Sequence, residues 1–340
     1  MNEHDTSVPR LPGEPMRRRL ISSRLINLLQ IVRETAQSAY AGVGLTEHHR
    51  QVVLLVGNYE QLTSGELVVL TGTEKAQVSR TVKALEDAGL VERAGRRSPI
   101  VLTAKGRTVF EETMQIARSR NAILTVGLGE ADVAHLLWMT RQLTARAAVL
   151  FAHERQVSAE SADQGGGTLA EPPLPDYGDG LAEEKPMGTM IFPALHALLS
   201  YMKRSASLSY QREHGLSHFE WMVFSQIGEH QPLSQARLIT MVRRNKSQVG
   251  RTIAFLEQQK LISRQHQPGR KENLLKTTDP GWETYVSMCG LAIGREDFLL
   301  AETSRQDRNR YMAALDRITT NAELELSRQK GQQQVRSTAD

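Results

Sequence analysis

The sequence predicts a mainly α-helical protein of two similar halves, each carrying one short β-hairpin. Apolar residues recur at helical spacing over most of the chain. When the first half is shifted by 171 positions, it aligns without gaps with the second half from Gly44 to Arg93. A length of 340 residues also exceeds that of one ordinary domain. We therefore expect a duplicated domain in one chain.

The internal repeat is densest around residue 78. Five residues of the first half, Lys75, Gln77, Val78, Arg80 and Thr81, meet identical residues of the second, Lys246, Gln248, Val249, Arg251 and Thr252. Chance does not give this density in one register, whereas duplication does.

Glycine and proline content sets the predicted domain boundaries. Three prolines and no apolar period mark residues 1–16, and a Gly- and Pro-rich composition marks 155–187. We predict a disordered tail (1–16), a first domain (17–154), a flexible linker (155–187), a second domain (188–328) and a second disordered tail (329–340).

Each domain has the same predicted order of elements. A long amphipathic helix (17–41 or 188–213) precedes a second helix (46–60 or 217–229), which Thr46 or Ser217 caps. A short helix then follows the hydroxyl cap Thr63 or Ser234. The next helix begins after Thr73, or near Asn245, and ends around Gly89 or Lys260. A strand, a basic loop and a return strand lead to Thr103 or Thr278. Two helices close each domain (104–125 with 130–153, and 280–300 with 304–327).

This order of two short helices and a β-hairpin is typical of a winged helix-turn-helix domain, whose second helix lies in the DNA major groove. At helical spacing, Val78, Val82 and Leu85 share one face, which we expect to pack on the domain core. The opposite face presents Thr73, Ala76, Gln77, Arg80 and Lys83. In the second domain the core face holds Val249, Ile253 and Leu256, and the outer face holds Arg244, Ser247, Gln248, Arg251 and Ala254. The alternative is an ordinary solvated helix.

Side-chain chemistry on the outer faces points to DNA. Gln and Arg can make two hydrogen bonds to an adenine or guanine edge, and Ser and Thr suit phosphates. We predict DNA contacts from Thr73, Lys75, Gln77, Ser79, Arg80, Lys83, Arg96 and Arg97 in the first half, and from Arg243, Arg244, Lys246, Ser247, Gln248, Arg251, Arg270 and Lys271 in the second.

Two groups of basic residues have alternative interpretations, and one difference in charge between the halves has a consequence for DNA binding. The wing residues of both halves could instead form an exposed basic turn without a partner. Arg93 and Arg264, at strand ends, could be phosphate clamps or surface ion pairs. The second half is the more basic around Arg243 and Arg244, so we expect it to supply more of the salt-dependent affinity.

Residues 73–106 resemble the MarR family in the runs QVSR (77–80), LE (85–86), GLVER (89–93) and LTAKG (102–106). The second half matches less closely, in LE (256–257), LISR (261–264) and TDPG (278–281). The usual Asp-Arg pattern of the wing is missing, and the second wing is about four residues longer than the first. The resemblance implies dimeric regulators, often repressors released by small aromatic acids or phenols, whose first and last helices form the dimer interface.

The resemblance also implies an effector pocket between the long helices and the winged unit. Its candidate residues, each of which could be ordinary packing instead, are Tyr40, His48, Tyr59, Tyr201, Tyr210 and His218.

Two copies in one chain suggest a single-chain pseudo-dimer on an imperfect palindrome, since family members use two units for two half-sites. The linker is long enough for this, because 33 residues can span on the order of 100 Å. A homodimer of chains is the alternative. Another alternative function is a protein-interaction scaffold, in which one winged unit binds a protein partner rather than DNA.

Other features bound the function further. One cysteine excludes an internal disulfide, and neither a signal peptide nor a membrane span is visible, so we expect a cytoplasmic protein. Cys289 could be a redox sensor, but its apolar neighbours favour a buried core position. Adjacent His48 and His49 point to different helix faces, so we expect no metal site. We expect no cofactor and no enzyme activity, since phosphate-binding loops and nucleophile motifs are lacking.

Overall fold

The computed structural model describes residues 20–71, 73, 75–95, 97–163, 185–265 and 273–337. This part of the chain is mainly helical and contains two small antiparallel sheets. The predicted tail at 1–16 and most of the predicted linker lie outside the described residues.

Besides a short 3-10 helix (Ala41–Val43), the described part of the first half contains six α-helices and three short strands. In chain order they are α1 (Ile21–Ala39), α2 (Glu47–Tyr59), β1 (Gln61–Leu62), α3 (Ser64–Thr71), α4 (Lys75–Asp87), β2 (Val91–Glu92), β3 (Ile100–Leu102), α5 (Ala104–Leu124) and α6 (Glu130–Asp163).

The second half repeats this order. Its elements are α7 (Ile191–His214), α8 (His218–His230), β4 (Leu233–Ser234), α9 (Gln235–Val242), α10 (Lys246–Gln258), β5 (Ile262–Gln265), β6 (Leu274–Thr277), α11 (Asp279–Leu300) and α12 (Arg305–Ser337).

Two predicted boundaries were wrong. Helix α6 continues to Asp163, past residue 155 where we placed the linker, and α12 continues to Ser337, past the start of the predicted tail at 329. Neither extension contains proline; the first is rich in the good helix formers Ala, Glu, Gln and Arg, and the second in Gln, Lys and Arg. Polarity alone therefore did not end either helix.

The predicted helix caps are confirmed. Thr46 accepts a hydrogen bond from the backbone N–H of His49 (3.3 Å), and Ser217 forms a reciprocal capping box with Glu220. At the start of α3, Thr63 accepts from the backbone N–H of Glu66 (3.2 Å), whose carboxylate accepts in return from the Thr63 N–H. These bonds satisfy backbone donors that a helix start otherwise leaves unpaired.

Each hairpin belongs to a three-stranded sheet, with strand orders β1-β3-β2 and β4-β6-β5. The third strand, β1 or β4, was not predicted. Val91 pairs with Leu102, and Ile262 pairs with Thr277, so the second hairpin is four residues longer, as predicted.

Close packing at two glycines recurs in both halves. A Cβ on Gly57 would overlap the Phe110 ring, and one on Gly228 would overlap the Tyr285 ring. The two halves therefore share packing details as well as the order of their elements.

By internal contacts the chain divides into two compact units that differ from the sequence halves. The smaller unit comprises Met1–Arg24 and Tyr210–Glu296, and the larger comprises Leu25–Ser209 and Asp297–Asp340. The larger unit thus contains the α3–α4 helix pair and, from the second half, helix α12. The smaller unit contains the α9–α10 pair.

Within the larger unit, α6 of the first half packs against α12 of the second. Asp132 accepts from Arg310 (2.9 Å), and His135 Nε2 lies 2.9 Å from Asp307. The hydrogen bond from Arg310 holds the pKa of Asp132 below its ordinary value. After the longer wing the halves correspond at a spacing of 175, so Asp132 matches Asp307 and His135 matches Arg310. The two contacts are therefore reciprocal.

A second reciprocal pair ties the starts of the long helices. In the larger unit, the Ile191 N–H at the start of α7 donates to Asn121 Oδ1 (3.0 Å). In the smaller unit, the Ile21 N–H at the start of α1 donates to Glu296 Oε1 (2.7 Å). Asn121 and Glu296 correspond at the same spacing of 175. Each half thus provides a side-chain acceptor for the first helix of the other.

The residues that follow helices α4 and α10 differ in backbone strain. This difference gives a stability prediction. Gly89 has a φ of 68°, and its counterpart Lys260 has a φ of 57°. A left-handed residue with a Cβ costs roughly 1 kcal/mol. We expect Lys260→Gly to raise the free energy of unfolding by about 0.5–1 kcal/mol, less than the full strain because glycine also adds unfolded-state entropy.

Gly89→Ala is the matched control. Nothing lies within 4 Å of a Cβ at Gly89, so backbone strain alone should lower stability, by about 1 kcal/mol. Urea denaturation followed by circular dichroism measures both changes. A destabilised Lys260→Gly variant would contradict the strain argument.

Candidate nucleic-acid interface

Helix α4 has the two faces that the sequence predicts. Val78, Val82 and Leu85 are buried, each no more than 2% exposed, and Thr81 is buried beside them. On the opposite side the exposed residues are Lys75, Ala76, Ser79, Arg80 and Lys83. The buried face fixes the helix on its domain, so the exposed face is the one available to a partner.

Two of the predicted reading residues contact each other. The Arg80 Nη2 donates a hydrogen bond to Gln77 Oε1 (2.9 Å), and Gln77 Nε2 donates to the Thr81 hydroxyl (3.4 Å). Gln77 is half-buried as a result, and Thr73 before the helix is also half-buried. The guanidinium and the amide therefore lie side by side on the outer face.

Helix α10 presents the equivalent surface. Asn245 caps it by accepting from the Gln248 N–H (2.7 Å), and Val249, Ile253 and Leu256 are fully buried. Gln248 is half-buried like Gln77. The exposed residues on or just before this helix are Arg243, Arg244, Lys246, Ser247, Arg251 and Ala254.

The arginines at the strand ends form ion pairs. Arg93 Nε lies 2.8 Å from Glu86 Oε1, and Arg264 Nε lies 2.7 Å from Glu257 Oε1. Both pairs join the end of the exposed helix to the wing strand. The ion-pair alternative is therefore the one the structure shows, and these arginines orient the wing instead of extending from it.

The first wing is described only in part. Arg97 is exposed at its tip, where the Ser98 N–H donates to the Gly95 carbonyl (3.0 Å). The predicted wing residues Arg96, Arg270 and Lys271 lie outside the described residues.

The segment from α2 to the start of the first wing has a counterpart among known proteins. Residues 43–99 match the MarR family. This MarR-family segment holds α2, the α3–α4 pair and β2, and it ends just before β3. None of the curated proteins matches the chain.

Two solved structures are similar to part of the chain. A MarR/EmrR family transcriptional regulator from Acinetobacter sp. ADP1 is 22% identical with a TM-score of 0.35, over 38% of this chain and 92% of that one. The S. aureus MepR–DNA complex is 18% identical with a TM-score of 0.32, over 35% of this chain and 88% of that one.

Four of the six candidate effector residues lie in the larger unit. Tyr40 is buried beneath the Arg50 guanidinium, 4.1 Å from its ring centroid, and burial raises its pKa. Tyr201 is buried edge-on to Phe151. His48 is exposed and Tyr59 is half-buried. Burial and ring packing account for Tyr40 and Tyr201 without a ligand.

The other two candidates lie in the smaller unit. Tyr210 packs against Trp221, with ring centroids 5.8 Å apart, and burial raises its pKa to about 12. His218 is half-buried on α8. The six residues thus divide between two units, and a common pocket stays a prediction.

The structure contains a buried polar cluster that the sequence did not predict. Arg120 on α5 donates to the Val32 carbonyl and to the Thr35 hydroxyl, both at 2.9 Å, and pairs with Glu325 on α12 at 3.3 Å. Only 7% of the Arg120 side chain is exposed. Its partners lie up to 205 residues away in the chain, so no local pattern could have indicated them.

Cys289 lies in the core of the smaller unit, beside Tyr285, which settles its two alternatives. Its thiol is fully buried, and burial raises its pKa to about 11. The buried core position is therefore confirmed, and a thiol buried in this way lacks the exposure and the lowered pKa that a redox sensor needs.

Metal ligation and membrane insertion find no support in the part of the chain that the structure describes. No group of three or more His, Cys, Asp or Glu side chains there is placed to hold a metal ion. No helix among the same residues is long and apolar enough to cross a membrane.

The buried thiol gives a reactivity prediction. With the pKa raised from 9.0 to about 11, the thiolate fraction at pH 8 falls roughly a hundredfold. We expect Cys289 to react with an aromatic disulfide reagent at least that much more slowly in the native chain than in guanidinium-unfolded chain. Absorbance of the released thiolate measures both rates, and Cys289→Ala gives the blank. Equal rates would show that the thiol is accessible.

Proposed function

We propose that the chain is a sequence-specific regulator of transcription that binds double-stranded DNA through two winged helix-turn-helix units. It acts in the cytoplasm as a repressor that a small aromatic acid or phenol releases. One chain covers an imperfect palindrome as a pseudo-dimer.

One observation carries the DNA-binding part of the proposal. Each half presents an exposed helix face with the same three polar residues at the same positions, Lys75, Gln77 and Arg80 on α4 and Lys246, Gln248 and Arg251 on α10. Gln and Arg are three residues apart, about 60° around the helix, so they share one face, whereas Lys lies at the helix start, about 140° from Arg. A helix face that only contacts solvent would not require the same Lys, Gln and Arg in both halves.

These side chains suit base recognition in the major groove. Arg makes bidentate hydrogen bonds to guanine, Gln does so to adenine, and Lys neutralises phosphate. Because the Gln and Arg are shared, the two half-sites should share their central bases. Other outer positions differ, with Lys83 replaced by Ala254 and Ala76 by Ser247, so the palindrome should be imperfect.

The reciprocal contacts support the pseudo-dimer. In a symmetric dimer, a residue i that meets residue j of the partner is matched by j meeting i. Asp132–Arg310 with Asp307–His135 follows this rule within one chain, and so do the caps from Asn121 and Glu296. A second chain is then not needed to complete the pair.

The effector and the repressor role rest on the MarR resemblance alone. The candidate contacts remain Tyr40, His48, Tyr59 and Tyr201 in the larger unit and Tyr210 and His218 in the smaller. Calorimetric titration with salicylate, a simple aromatic acid, in the presence and absence of DNA tests this part separately.

Mobility shift against the DNA upstream of the chain's own coding sequence, at two salt concentrations, tests the DNA-binding assignment. Losing one bidentate base contact costs about 1–3 kcal/mol, so Arg80→Ala or Arg251→Ala alone should weaken specific binding roughly tenfold or more. The double variant should bind the upstream DNA no better than it binds unrelated DNA. Arg118→Ala, an exposed arginine on α5, is the control and should bind as wild type. Unchanged affinity of the double variant would refute the assignment of the recognition helices.

A further inference from the structure

The two helix pairs differ in charge although they share their geometry. The first-pair segment (residues 64–93) contains four basic and five acidic residues, a net charge of −1. The equivalent second-pair segment (residues 235–264) contains seven basic residues and one acidic residue, a net charge of +6. At one position the sign reverses, from Glu66 to Arg237. The same scaffold thus carries opposite electrostatic surfaces.

The cations of the second-pair segment lie on its surface, around the turn between α9 and α10. Those that are exposed there are Arg237, Arg243, Arg244, Lys246 and Arg251. The one acidic residue, Glu257, is engaged by Arg264 and does not offset them. In the first-pair segment, exposed Asp87 accompanies Lys75, Arg80 and Lys83 on α4. Among the described residues, the exposed charged side chains of the second-pair segment are all basic, whereas those of the first-pair segment are of both signs.

Two of these cations occupy backbone conformations that disfavour them. Arg243, which ends α9, has φ 50° and ψ 48°, and Lys260 after α10 has φ 57°. The first half has glycine at both equivalent positions, Gly72 and Gly89. Strained positions of this kind cluster where a protein binds a ligand. Long cationic side chains therefore stand where glycine would relieve the backbone.

We infer that the second helix pair is the electrostatic anchor of the chain on the DNA phosphate backbone. The first pair, with its net negative charge, adds mainly base contacts. This inference rests on the proposed function and adds phosphate anchoring as a further task of one of its two base-reading helix pairs. Cations that neutralise phosphates release condensed counterions, which makes binding steeply salt-dependent and independent of sequence. The anchor holds the chain on any duplex, and the base contacts of both helices then supply discrimination.

Exchange of the turn residues tests the inference in the full chain. Arg243→Gly with Arg244→Thr gives the second turn the residues of the first, Gly72 and Thr73, and removes a strained residue, so the fold should persist. Thr73→Arg is the reverse change. Anisotropy of a labelled duplex of arbitrary sequence, titrated at several salt concentrations, gives the slope of log affinity against log salt.

We expect the double variant to lose about 1.8 units of that slope, at about 0.9 per phosphate contact. Between 50 and 200 mM salt its affinity should then fall about twelvefold less than that of wild type. Thr73→Arg should steepen the slope by at most about 0.9. A wild-type slope in the double variant would overturn the anchor assignment.

The outcomes separate this inference from the proposed function. If the wild-type chain binds no duplex at low salt, the proposed function itself fails. If the wild-type chain binds DNA with a shallow slope of log affinity against log salt, and both variants show the same slope, then the chain binds DNA without this anchor. Binding of an acidic protein surface instead would appear as an unchanged DNA slope in the double variant with loss of binding to polyglutamate, and it too would overturn the inference.

Discussion

Packing of α6 along α12 joins helices of the two halves of the chain within one compact unit. The contact is held by Asp132–Arg310 and Asp307–His135 at its surface and by the buried pair of Arg120 with Glu325 beside it. A buried charge left without its partner is costly, by roughly 3–5 kcal/mol. The residue of the first half that corresponds to Glu325 is Leu150, so Arg120 would lack a carboxylate partner if two first halves paired. Arg120 therefore favours the pairing of unlike halves.

Because the two halves belong to one chain, their sequences can diverge independently. In a dimer of identical chains, every substitution in a recognition helix appears in both half-sites. In one chain, Glu66 and Arg237 can differ in sign at equivalent positions while the Lys, Gln and Arg of both helices stay the same. Tethering also keeps the second unit at high effective concentration once the first has bound. A difference in charge between two base-reading helix pairs is therefore possible in this arrangement.

Local patterns were enough to predict the helices that carry the site. The 3.6-residue spacing of Val78, Val82 and Leu85 identified the buried face of α4, and hydroxyl residues identified most helix starts. Contacts between distant residues were beyond reach, as with Arg120 and Glu325, because periodicity carries no information about partners 205 positions apart. The strands β1 and β4 were missed because two residues are too few for an alternating pattern. Arg93 was ambiguous until its carboxylate partner Glu86 was located in space.

The molar mass of the chain on and off a palindromic duplex tests the central claim most directly. Sedimentation equilibrium with a duplex that contains one complete binding site gives both values. The account predicts a free species near 38.0 kDa and a complex of one chain per duplex. A stable dimer of chains in solution, or two chains on one site, would contradict a pseudo-dimer made from the two halves of a single chain.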